Sequence, residues 1–166
     1  MITLGIDPGT AITGYGIINE EQDGNLTVLD FGVIRTSADL PQGDRLVHLY
    51  RQIKDLIFLH HPETGAVEKL FFERNVRTAI HVGQARGVAL LAMAESNLQI
   101  GEYTPLEVKQ AVAGYGGADK NQVQQMVRTI LRLETIPHPD DAADALAIAI
   151  CHIHSAKMRN LLTENG

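Results

Sequence analysis

Four carboxylates in this 166-residue chain, Asp7, Glu68, Asp141 and Asp144, stand where metal-assisted chemistry on a phosphate would need them. Asp7 ends an apolar run in which Leu4 and Ile6 alternate with Thr3, Gly5 and Asp7, the period of a strand, before Pro8 and Gly9 turn the chain away. The carboxyl end of a strand is where open α/β sheets place ligands, although an Asp before Pro-Gly also serves as a turn residue. Glu68 interrupts the apolar stretch Ala66-Val-Glu-Lys-Leu-Phe-Phe72, where an unpaired carboxylate is costly to bury unless the strand is a solvated edge. Asp141 and Asp144 are three apart at the start of a helical pattern, so they share a face near the end where the helix dipole favours negative charge. The run Ala142 to Ile150 is so apolar that this helix must be buried, which calls for something cationic beside its acids.

Brought together, four acids repel one another, and a hard divalent cation with oxygen ligands removes the repulsion. Mg²⁺ takes a few carboxylates plus waters and phosphate oxygens, with Mn²⁺ as a substitute. Two such ions about 3.5–4 Å apart suit phosphodiester hydrolysis. Zinc is disfavoured, because Cys151 is the one cysteine and His152 and His154, two apart on a helix, point to different faces.

The elements that must position these acids are read from periodicity. Strands are expected at the N-terminus, at Gly14 to Asn19 and at Leu26 to Arg35, joined by short loops as an antiparallel meander. An amphipathic helix follows from Gly43 to about His60, then a strand at Gly65 to Phe72. A long helix over 77–97 comes next, carrying Gly83 and Gly87 on one face, where a helix of this chain or of a second copy could approach closely. A strand at Gln99 to Tyr103 leads into Thr104-Pro-Leu-Glu107, which has the cap, first-turn proline and acidic third position of a helix start. The Gly114 to Lys120 loop fails the P-loop pattern, yet it could offer backbone N–H groups and Lys120 to a phosphate. Further helices are expected at Asn121 to Leu133 and from Asp140 to about Lys157. The order is β-β-β-α-β-α-β-α-α-α in a single domain over 1–160 with a short tail, 161–166.

Net charge is −6, which by itself argues against a nucleic-acid partner, but residues 69–132 carry 8 Lys/Arg against 5 Asp/Glu between acidic flanks. Lys69, Arg74, Arg77, Arg86, Lys109, Lys120, Arg128 and Arg132 make that middle basic, and a solvated face is their plain reading. The chain has no signal-peptide pattern, no apolar run long enough for a membrane and no disulfide pair, so a cytoplasmic protein is expected.

The motifs Gly5-Ile-Asp-Pro-Gly-Thr-x-x-Thr-Gly-Tyr-Gly16, Ala66-Val-Glu68, Gly83-Gln-Ala-Arg-Gly-Val-Ala89, Val108-Lys-Gln110, Gly114 to Lys120, Gln124-x-Met-Val-Arg128 and Asp141-Ala-Ala-Asp-Ala-Leu-Ala-Ile-Ala149 resemble the RuvC family of Holliday junction resolvases, within the RNase H-like superfamily. The resemblance covers nearly the whole chain. It implies an α/β fold with a mixed five-stranded sheet, three antiparallel strands then two parallel, flanked by helices. It also implies a metal-dependent homodimeric endonuclease that makes paired, symmetric nicks in a four-way DNA junction, leaving 5′-phosphate and 3′-hydroxyl ends. Asp7, Glu68, Asp141 and Asp144 match the family's metal ligands, while Lys109 and Lys120 match lysines near the scissile phosphate. Phe71 matches an aromatic that stacks on an unpaired base, and Arg74, Arg77 and Tyr115 join it as DNA-binding candidates. The Gly83/Gly87 helix matches the dimer region, and the RuvA–RuvB branch-migration complex is the implied partner. Actin-like nucleotide-binding proteins open similarly but need two such domains, and the RuvC-like YqgF family lacks this combination of motifs. A non-catalytic junction scaffold would not need all four acids.

Overall fold

The computed structural model describes residues 1–70 and 76–164, with side chains described for 1–70 and 78–158. The elements run β1 (Ile2–Asp7), β2 (Ile12–Glu20), β3 (Leu26–Arg35), α1 (Gln42–His60), β4 (Thr64–Glu68), α2 (Val76–Glu95), β5 (Gln99–Tyr103), α3 (Pro105–Ala113), α4 (Lys120–Ile130) and α5 (Asp140–Glu164). This is the expected order. The five strands form one sheet, β3-β2-β1-β4-β5, in which β1–β2 and β2–β3 pair antiparallel and β1–β4 and β4–β5 pair parallel.

The alternation in β1 sorts the two sides of the sheet. Leu4 and Ile6 point into a core shared with Leu49 and Ile53 of α1 and Ala85, Ala89 and Met93 of α2. Gly5 and its cross-strand partner Gly16 turn the other way, towards α5. On that side α5 packs with α3 and α4 over Ile18, Ala66 and Tyr103. Every residue from Ala145 to Ile153 is buried, as the apolar run required.

How closely α5 lies on the sheet is set by glycines. A Cβ on Gly5 would sit 2.2 Å from the Ala145 carbonyl oxygen, one on Gly14 1.9 Å from the Asp141 carbonyl oxygen, and one on Gly16 2.7 Å from the Leu146 side chain. On the helix the facing residues are small, Ala142, Ala145 and Ala149 among them, so backbone meets backbone across the layer.

Several boundaries differ from the sequence reading. β4 stops at Glu68, not Phe72, because its ladder partner β5 ends opposite it at Tyr103 and Thr104 then caps α3. Residues 71 and 72 of that expected strand lie outside the described residues. β4 is also no edge strand, since β1 and β5 flank it. α4 ends at Ile130, where the chain turns through Leu131 and the positive φ of Arg132. α5 continues past Lys157 to Glu164. Among the described residues no helix is long and apolar enough to cross a membrane.

The glycine contacts give a direct test. Gly14→Ala should destabilise the fold by about 1–3 kcal/mol or more, since the clash is with backbone that cannot rotate away. Gly43→Ala in α1, where a new Cβ meets nothing within 4 Å, should be neutral or gain up to about 1 kcal/mol from helix propensity. Urea denaturation midpoints of the two variants against the parent chain check both.

Candidate active site

Three elements deliver the acids to one cleft. Asp7 ends β1 and Glu68 ends the parallel neighbour β4, so both leave the sheet at its carboxyl edge and, by register, on the α5 side. Asp141 and Asp144 lie in the first turns of α5. Asp7 pairs across the β1–β2 ladder with Gly14, the residue over which the Asp141 backbone packs. The close approach of α5 therefore carries its acids to Asp7. The resulting cavity, about 220 Å³, is lined by Asp7, Glu68 and Asp144 together with Lys109 and Lys120, over an apolar wall that includes Val108, Val123, Ala147 and Ile148. Asp141 is not in that lining, yet it is near enough for its charge to act on both Asp7 and Asp144.

The two lysines come from separate helices. Lys109 lies on α3, which starts at a complete capping box: Thr104 accepts from the Glu107 backbone N–H, and the Glu107 side chain accepts from that of Thr104. Lys120 opens α4 under a second capping box, Asp119 with Gln122. Its Nζ lies 3.1 Å from a carboxylate oxygen of Asp144 and 3.1 Å from one of Asp140. In this state Lys120 acts as a counter-ion to the acids.

Other candidates fall elsewhere. Tyr115, in the loop between α3 and α4, is exposed and donates its hydroxyl to Gln122 Oε1 at 2.7 Å, outside the cleft lining. Phe71 and Arg74 lie outside the described residues, and Arg77 belongs to α2 with its side chain outside them. His152 is buried, 3.0 Å from the Tyr103 hydroxyl, and His154 lies 3.1 Å from the Ala111 carbonyl oxygen, so the two histidines face different partners. In the basic middle segment, Arg128 and Arg132 bond the Leu133 carbonyl and Asn25, away from the cleft.

Arg86, grouped in the sequence with a solvated basic face, is mostly buried and works internally. Its Nε donates to the Glu68 carbonyl at 2.9 Å while its guanidinium pairs with Glu102 of β5. It thus ties α2 to the strand end that presents Glu68. No local spacing signals this role; it requires β4 and β5 side by side under α2.

Burial pushes the Asp7 carboxyl up to about 8, with further upward pressure from Asp144, Glu68 and Asp141 that Lys120 only partly relieves. Glu68 is raised by burial and by Asp144, against Lys109. Asp144 is raised chiefly by burial in spite of its bond to Lys120. Burial works against the charge of Lys120, but its bonds to Asp144 and Asp140 prevail and raise it. With all its acids ionised, the cleft would hold more negative charge than its lysines balance. Among the described residues no three acid, His or Cys side chains already close around one point, so the acids form an open set. An all-oxygen donor set with unbalanced negative charge fits a hard divalent cation and does not fit zinc.

A pH dependence of stability follows from Asp7. In the folded chain its carboxyl keeps a proton to about pH 8, against the ordinary 3.8. The contribution is therefore fully present below about pH 4 and is lost as the pH rises through 8. In EDTA, Asp7→Asn should melt close to the parent chain at low pH and several degrees above it at high pH, which corresponds to roughly 1–3 kcal/mol in a domain of this size. Added divalent cation should restore the parent at high pH and leave the variant unmoved. Thermal melts across that pH range measure all of this.

Comparison with known proteins agrees with the geometry. The family model described as crossover junction endodeoxyribonuclease RuvC matches residues 3–152. A crossover junction endodeoxyribonuclease RuvC of Roseiflexus sp. is 56% identical over 162 residues, covering 98% of this chain and 96% of the relative. The structure of T. thermophilus RuvC in complex with Holliday junction substrate superposes with a TM-score of 0.90 at 38% identity, covering 95% of this chain and 96% of the other. The yeast mitochondrial Holliday junction resolvase Ydc2, at 14% identity and a TM-score of 0.68, covering 99% of this chain and 86% of its own, shares the fold. The RNase H-like fold expected from the sequence is thereby shown, and with the family model spanning most of the chain, this protein belongs to the RuvC family of crossover junction endodeoxyribonucleases.

Proposed function

We propose that the chain resolves Holliday junctions as a homodimer, each subunit nicking one of two strands of like polarity across a four-way DNA junction. The observation that carries this reading is the meeting of Asp7, Glu68, Asp144 and the charge of Asp141 with Lys109 and Lys120 in one cleft. Asp7, Glu68, Asp141 and Asp144 would hold Mg²⁺, two ions per subunit, with Mn²⁺ as a substitute. When bound, the cations offset the acids' charge and supply activation of the attacking water and stabilisation of the leaving oxygen. Lys109, beside Glu68, and Lys120, released from Asp144 and Asp140, donate to the non-bridging oxygens of the scissile phosphate, where negative charge grows in the transition state. Water adds to phosphorus and the bond to the 3′ oxygen breaks, leaving a 3′-hydroxyl and a 5′-phosphate. Phe71, Arg74, Arg77 and Tyr115 are proposed to contact the junction.

The dimer reading draws on α2. Its outer face carries Ile80, Gly87, Leu91 and Ala94, with Ile80 and Leu91 more than half exposed. Among the described residues a Cβ at Gly87 would meet nothing within 4 Å, and the helix packs on α1 with its other side, so no described helix fills the surface at Gly87. A second copy would bury it and set two clefts on one junction. RuvA–RuvB, implied by the family resemblance, is the proposed supplier of the junction.

Mixing the chain with a labelled four-way junction and a matched linear duplex, with Mg²⁺ or EDTA, tests the reading on a denaturing gel. Paired nicks on the junction alone, dependent on metal, are expected. Asp7→Asn should bind the junction and cut at background, and Lys120→Ala should lose roughly 10²-fold in cutting rate. Junction binding without nicks in either metal would make the protein a scaffold. Gly87→Arg should keep its thermal stability yet sediment as a monomer and lose paired nicking.

A further inference from the structure

A second cavity, of about 440 Å³, opens where the β1–β2 turn meets the starts of α1 and α2. Its lining includes Gly9, Thr10, Arg45, Thr78 and His81 and, among the described residues, contains no acid. Asp44 precedes Arg45 but is exposed and does not line it. The cleft described above is walled by α3, α4 and α5, whereas this cavity lies on the α1/α2 side of the sheet. Both belong to the same sheet edge: Gly9 is two residues beyond Asp7, at most about 7 Å along the chain.

The turn is held in place by its neighbours. The Thr10 hydroxyl donates to the His81 carbonyl at 2.8 Å, the Thr36 hydroxyl donates to the Thr10 carbonyl at 2.5 Å, and Arg45 Nε donates to Thr36 Oγ1 at 2.9 Å. A Cβ on Gly9 would sit 2.2 Å from the Ile12 carbonyl oxygen, so the turn closes only around glycine. Arg45 has no carboxylate partner among the described residues, and its Nη groups are not needed for the bond to Thr36. His81 Nδ1 is buried without a hydrogen-bond partner among them. A preformed cradle whose Arg45 Nη groups meet no carboxylate among the described residues is suited to a phosphate oxygen pair.

We propose that this cavity binds a backbone phosphodiester of the strand being cut, a few nucleotides from the scissile phosphate, with Arg45 as its charged ligand. The inference rests on the junction-cutting reading and extends it: the strand is held on both sides of the β1 end, so that the scissile phosphate is fixed over Asp7.

The test is the salt dependence of junction binding in EDTA by the full chain, beside cutting by the parent protein in Mg²⁺. Arg45→Gln should weaken binding roughly tenfold and reduce the slope of log K against log salt by about one per subunit. Arg45→Lys should keep the slope. Thr36→Val, which drops the Arg45–Thr36 bond but leaves the guanidinium, should keep it as well and so controls for a structural loss. A neutral methylphosphonate at one position flanking the cut should weaken the parent chain and not Arg45→Gln. An unchanged slope in Arg45→Gln, a loss explained by monomers in sedimentation, or stabilisation by inorganic phosphate through Arg45 with no change in slope would overturn the proposal. A parent chain that binds no junction would overturn the functional reading itself.

Discussion

The structure depends on how near α5 can come to the β1–β2 hairpin. Gly5, Gly14 and Gly16 leave no side chain between sheet and helix, and the alanines of α5 leave almost none on the other side. Asp141 then packs over the cross-strand partner of Asp7, so an acid at a strand end and acids on a buried helix become neighbours. Ordinary side chains in that layer would push the helix outward and separate the charges. Packing and electrostatics are opposed here: the apolar contacts of α5 force together carboxylates that repel each other.

That opposition explains the state of the site. Burial and mutual repulsion push the Asp7 carboxyl up to about 8 and raise that of Asp144, and Lys120 bridges Asp144 and Asp140 as a partial remedy. Were a cation to bind there, the repulsion would be relieved, and metal affinity would be coupled to proton release. The two lysines reach the cleft on helices whose starts are fixed by capping boxes. Their backbone positions are set before any substrate arrives, while their side chains remain able to change partner.

The sheet edge also organises the surroundings. β1 ends in Asp7, and the turn that follows contributes at once to a second cavity on the opposite side, where Arg45 and Thr36 hold it. Glu68 is steadied from behind by Arg86, which links β4, β5 and α2. A displacement of α2 therefore has a short hydrogen-bonded route to the strand end that carries Glu68.

Much of this was legible in the sequence. The alternation around Leu4 and Ile6, the capping pattern at Thr104 to Glu107, and the apolar run after Asp144 are local signals with a local physical cause, and each element formed where they placed it. The four acids were legible too, because a carboxylate in an apolar segment demands an explanation. Strand and helix ends set by a partner were not: β4 stops because β5 does, a fact absent from its own residues. Nor could spacing show that Arg86 serves Glu68, that Asp140 shares Lys120, or that Gly14 is small for the sake of Asp141. Types and periods of residues are written along the chain, so the sequence by itself determined the elements and the chemistry available to them. Which groups meet, at what distance and with what burial, depends on contacts between residues far apart in the chain, and only the tertiary structure decided it.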